Sequence, residues 1–201
     1  MALIVCFTLT HKLTAVRAFD NVSRAGGHVH AQLAGGAVPE KPLFRAITDY
    51  YKWTLLDGKL ENKAHIPVTA IACAKPREST ESVVGRVTDQ LHDLGRQYRD
   101  KWRHPDCKES DAQQVYTHSL PTLFGFVIKY TVVAIVTCDS SVPGSPIRTL
   151  HTADWKVIGQ NVWHAIALAI AFVRQRNYLM QLDAEGELGP AIDEKGSDPD
   201  K

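Results

Sequence analysis

Two residues in this chain are placed where a metal-assisted phosphodiester reaction would need them. Asp57 closes an apolar stretch, residues 53–56, and is followed by Gly58, while Lys75-Pro76 closes the apolar run of residues 66–74. Read locally, this is strand, polar turn, strand: proline ends the second ladder and leaves an ammonium at its rim. A carboxylate at one strand end can help bind a divalent cation, and a lysine at the next can stabilise a pentavalent phosphate or orient the attacking water. On these residues alone, the plainer reading is an ordinary hairpin with a solvated aspartate and a snorkelling lysine.

The elements that must position this pair follow from periodicity. From Leu13, the apolar positions Val16, Phe19 and Val22 recur at helical intervals, which predicts a helix stopping before Gly26-Gly27. His28 and His30 are two residues apart and would share a face only in a strand; with no third ligand nearby, a metal site there is not expected. Gly35-Gly36 and Pro39 to Pro42 read as a loop. Residues 43–51, rich in aromatics, read as a strand pairing with 53–56 and 66–74, its large rings serving as core more readily than as base-stacking platforms.

Ser79-Thr80-Glu81 is a helix start with a hydroxyl cap and an acid in the first turn. Val84, Val87, Leu91, Leu94, Tyr98 and Trp102 then sustain three-four spacing to about Arg103. Beside that seam runs a polar row, Arg86, Gln90, Asp93 and Gln97, which is the wet margin of an amphipathic helix or, in a nuclease, the face turned to a phosphate backbone. Residues 104–114 read as an exposed loop. Strands are expected at 122–129 and 131–138 around a turn near Lys129-Tyr130, with a third from Ile147. Residues 160–182 form the last helix, whose first half is apolar nearly all round and is therefore expected to be buried.

Composition bounds the rest. The 201 residues suit one domain over 1–182 and a disordered acidic tail over 183–201. That tail holds seven acids and two lysines, leaving 21 basic and 15 acidic side chains, a net of +6, in residues 1–182. A mildly basic body is compatible with a polyanionic partner such as DNA. Four scattered cysteines, Cys6, Cys73, Cys107 and Cys138, form neither a disulfide framework nor a zinc ribbon, and an intracellular location, cytoplasmic or nuclear, is expected. Residues 1–9 read as a strand or the remnant of a buried element, without the basic flank of a signal peptide, and no apolar run is long enough to cross about 30 Å of hydrocarbon.

Helix, three strands, helix, further strands and a closing helix resembles the PD-(D/E)XK nuclease-like domain, in particular the degenerate type found in fungal proteins. The resemblance covers roughly residues 10–182. It implies an α/β (α+β) fold: a mixed central sheet flanked by helices, with a restriction-endonuclease-like αβββαβ core. In the family pattern an acid ends the second core strand, an acid-x-Lys ends the third, and a glutamine lies on the next helix. Asp57 matches the first acid, Lys75 the lysine, and Gln90 or Gln97 the glutamine, with Arg86 and Lys75 implied as nucleic-acid contacts. The 124–128 to 134–136 hairpin and the helix start at Asn161 resemble the later elements of the family.

The pattern breaks at Cys73, where the second acid should stand. Mg²⁺ wants oxygen ligands in a near-octahedral shell, and a thiol ranks poorly among them. An acid must then reach in from elsewhere, with Glu78 and Glu81 the nearest candidates, or the site is catalytically degenerate. Two functions are therefore implied: Mg²⁺-dependent phosphodiester hydrolysis on DNA, with Asp57, Glu78 and Glu81 holding the ion, or a non-catalytic module binding nucleic acid or protein on the same fold. A third reading makes Cys73 a nucleophile with His65 or His92 as base, against the plainer role of small core filler.

Overall fold

The computed structural model describes residues 14–104 and 116–191. Helix α1 (residues 14–23) leads through Arg24 into α2 (Ala25–Ala34), followed by α3 (Glu40–Asp57) and a short strand β1 (Lys63–Ala64). Then come β2 (Thr69–Cys73), α4 (Thr80–Trp102), the meander β3 (Thr122–Lys129), β4 (Val132–Asp139) and β5 (Arg148–Asp154), helix α5 (Asn161–Ala184) and a last short strand β6 (Gly189–Ala191). The main sheet has the order β2-β3-β4-β5, with β2 parallel to β3 and the other neighbours antiparallel. β1 and β6 pair separately. The result is a mixed α+β fold, a four-stranded sheet between two helical layers.

The layers follow from the two faces of each strand. Phe124, Phe126 and Ile128 of β3 point to one side, where they meet α1, α2, α3 and α5 in a core that includes Val22, Leu43, Ile47 and Phe172. Leu123 and Val127 point to the other, where α4 lays Val83, Val87, Leu91, Tyr98 and Trp102 against them. Gly125 sits at the centre of the α4 side. A Cβ there would lie 2.6 Å from Val87, 2.7 Å from Val136 and 3.0 Å from Leu91, so the missing side chain is what lets the helix close on the strand.

Helix α4, the β3–β4 hairpin, β5 and α5 lie where the sequence places them, although Val84, expected in the α4 seam, is exposed and Val83 takes its place in the core. Ser79 caps α4 by accepting from the Ser82 N–H at 3.1 Å. Tyr130 turns the hairpin in the left-handed conformation, φ 55°.

The region before β2 departs from the sequence reading. Residues 43–51 and 53–56 are not strands but one helix, α3, whose buried positions Leu43, Ile47, Tyr50 and Thr54 fall at helical spacing. Asp57-Gly58, read as a turn between strands, is the end of that helix. Lys59 takes the left-handed conformation (φ 56°), and the Leu60 N–H reaches back to the Leu55 carbonyl at 2.8 Å while the Lys59 N–H reaches Leu56 at 3.0 Å. This is a Schellman closure with lysine where glycine is usual. The chain also passes through Gly26-Gly27 as helix, because Gly26 faces α5 and any side chain there would overlap the Asn161 amide.

Two further expectations shift. The first half of α5 is buried along one stripe only, His164, Ala165, Leu168, Ala171 and Phe172. Trp163 is 70 % exposed and Ile170 65 % exposed, so its circumference is not covered. The acidic segment begins within described elements: Asp183 pairs with Lys63 at 2.9 Å and Gly189–Ala191 forms β6, while residues 192–201 lie outside the described residues. The strand expected at 1–9, and the loop expected at 104–114 apart from His104, also lie outside them. No described helix is long and apolar enough to cross a membrane.

Candidate functional site

The C-terminal end of β2 is organised around Glu78. Ala74 continues the ladder by donating to the Ile128 carbonyl at 2.8 Å, after which Lys75 and Pro76 turn the chain, with Arg77 in the left-handed conformation (φ 64°). Glu78 accepts from the Lys75 N–H at 2.7 Å, the Ser82 hydroxyl at 3.0 Å and Arg86 Nη2 at 2.9 Å. The same Arg86 nitrogen donates to the Cys73 carbonyl at 3.0 Å. Lys129 Nζ donates to the Glu78 carbonyl and to Thr80 Oγ1, each at 3.0 Å. The Lys75 N–H, then Ser82 and Arg86, hold the Glu78 carboxyl below the ordinary carboxylate range. Glu81 is held low too, by its own N–H and by Ser79, as an acid in the first turn of a helix should be.

Cys73 is the last residue of β2. Burial, and the charge of Glu40 at the start of α3, push its thiol up. It therefore stays protonated, the inert form. Neither histidine proposed as its base is directed to it, since His65 Nδ1 lies 2.9 Å from the Lys63 carbonyl and His92 Nε2 lies 3.1 Å from the Ser145 carbonyl. Two buried polar atoms in this region, Glu40 Oε2 and Arg86 Nε, have no hydrogen-bond partner.

Asp57 belongs to the opposite end. Its carboxylate is ion-paired with Arg176 of α5, next to Gln175, which is hydrogen-bonded to Thr69 at the start of β2. The electrostatic contact of Glu40 with Cys73 puts the start of α3 at the far end of that strand. Asp57 lies about 25 Å further along the helix axis. Of the residues expected to form the site, then, Cys73, Glu78, Arg86 and the backbone of Lys75 come together, with Glu81 close by on the first turn of α4. Asp57 does not join them. Gln90 and Gln97 are exposed on α4, the second about 16 Å from Arg86 along the axis. Among the described residues no group of three His, Cys, Asp or Glu side chains is disposed to hold an ion. The Mg²⁺ shell expected from Asp57, Glu78 and Glu81 is accordingly not assembled.

Two features escaped the sequence reading. Gln175 is flanked by Arg174 and Arg176 yet is 2 % exposed. Helical spacing would have found it, four residues beyond Ala171 and four before Leu179. His164 is buried beside Trp155, with Nδ1 3.4 Å from His151 Nε2, and burial followed by His151 pushes its pKa down. Compared with known proteins, the chain matches no family model, no curated protein and no solved structure.

Proposed function

We propose that the chain is a non-catalytic binding module on an α+β core of nuclease-like kind, engaging a polyanion such as DNA at the C-terminal end of β2. The observation that carries this reading is the pairing of Asp57 with Arg176 at the opposite end of the strand from Lys75. A two-carboxylate shell beside the lysine would need Asp57 there, and Cys73 stands where its companion would be. What that end offers instead is cationic: Lys75 and Arg77 are exposed, next to Arg86 and Lys129. Such side chains meet phosphates as positioning contacts without cleaving them.

The test is a gel-shift titration of duplex DNA combined with a nicking assay in Mg²⁺ and Mn²⁺. The expected result is binding that falls steeply with added salt, weakens in Lys75→Ala/Arg77→Ala, and leaves the DNA intact. Absence of salt-sensitive binding overturns the reading. The hydrolase remains the second reading because one carboxylate oxygen of Glu40 is buried, unpartnered and electrostatically coupled to Cys73. Metal-dependent nicking abolished in both Glu40→Gln and Lys75→Ala would establish it in place of the first.

A further inference from the structure

The other end of β2 opens onto a cavity of about 430 Å³ between the second half of α5 and the segment 117–122 that leads into β3. Its wall combines apolar surface from Val68, Leu120, Phe124 and Leu182 with the ring of Tyr178. That ring is fixed in place: its hydroxyl donates to the Ser119 carbonyl at 3.3 Å, and its edge packs on Tyr98, with centroids 6.2 Å apart.

Gln175 lines this cavity and is its most deeply buried polar side chain. The Thr69 hydroxyl donates its one proton to Gln175 Oε1, and the amide nitrogen, Nε2, has no partner. A buried amide left with unused protons is costly unless an acceptor arrives. Arg174 stands exposed on the lip of the same cavity. The acid on the lining, Glu185, is already engaged by Gln181 at 2.8 Å and faces His118 at 3.6 Å.

We infer that this cavity binds a single-ring organic oxyanion, its carboxylate or phosphate oxygens accepting from Gln175 Nε2 and Arg174 while the ring lies against Tyr178 and Leu120. The volume falls in the range of small-molecule sites, and the wall sets apolar surface that a ring can cover beside polar groups that can orient an anion. This inference does not depend on the proposed polyanion site, which lies at the other end of the strand and uses different residues.

The test is an NMR titration of the ¹⁵N-labelled full chain with benzoate, with phenyl phosphate and with neutral benzamide. The Gln175 side-chain amide pair is identified by its disappearance in Gln175→Glu. The expected result is that the pair shifts with one or both anions and not with benzamide, the stronger of the two anions identifying carboxylate or phosphate as the preferred group. Arg174→Ala, on an exposed residue, should weaken binding about tenfold through loss of one charge-assisted contact. A Gln175 amide unmoved by both anions, an equal response to benzamide, or unchanged affinity in Arg174→Ala would each overturn the inference.

Discussion

The two ends of β2 handle buried polarity in opposite ways. At the C-terminal end a single carboxylate, Glu78, collects an N–H, a hydroxyl and a guanidinium from residues within eight positions of it, so α4 and the strand that precedes it are tied by local contacts. At the N-terminal end the contacts join distant parts of the chain, Asp57 to Arg176 and Thr69 to Gln175, and one amide is left over beside a cavity. A knot made of neighbours closes on itself. A junction made by three elements that meet from far apart leaves room between them, and here that room is lined by a donor without an acceptor.

Breaking the long-range junction should have the larger effect. Asp57→Asn removes the charge from a largely buried ion pair and leaves Arg176 uncompensated, with an expected loss of about 2 kcal/mol in urea unfolding. An unchanged midpoint would mean that α3 is not pinned to α5 at this point. Ser79→Ala at the local knot should cost about 1 kcal/mol, since Glu78 and the first turn of α4 keep their other contacts. A loss in Ser79→Ala as large as that in Asp57→Asn would contradict the contrast between the two ends.

The finest discrimination comes from pH. Because Glu78 has a lowered folded-state pKa, its contribution is fully present above the ordinary carboxylate value of 4.5 and is lost as pH falls through the folded value. His164 acts in a different window. Its folded pKa lies below 6.5, so stability is full above that value and declines as pH drops beneath it, where the unfolded chain binds the proton more readily. Urea midpoints measured from pH 7.5 downward should therefore show a first decline beginning near 6.5 that is absent in His164→Gln. A second, below 4.5, should be shallower in Glu78→Gln. A His164→Gln curve that still falls in the upper window would remove the histidine as its source.

How much of this was legible depends on whether burial and local pattern agree. In α4, Val87, Leu91, Tyr98 and Trp102 are apolar, buried and helically spaced, and the cap is a serine, so sequence and structure coincide. In α3 the aromatic content favoured strand, while the true signal was the three-four spacing of Leu43, Ile47, Tyr50 and Thr54, the last of them polar. Placing a strand there put Asp57 at a strand end and so beside Lys75, and the expected site inherited the error. Gly26-Gly27 was read as a stop, whereas the closeness of Asn161, which no local pattern contains, is what requires a glycine. Gln175 was hidden by its two arginine neighbours: a buried polar residue is announced by its position on the helix, not by its type.

Gly125 has a mechanical consequence. With Val87, Leu91 and Val136 closed over a strand position that has no side chain, α4 cannot rotate about its own axis or slide along the sheet without lifting away from it. The helix therefore moves with the sheet as one stiff plate, and whatever pulls on Ser79, Glu78 or Arg86 at its start is felt at the middle of β3.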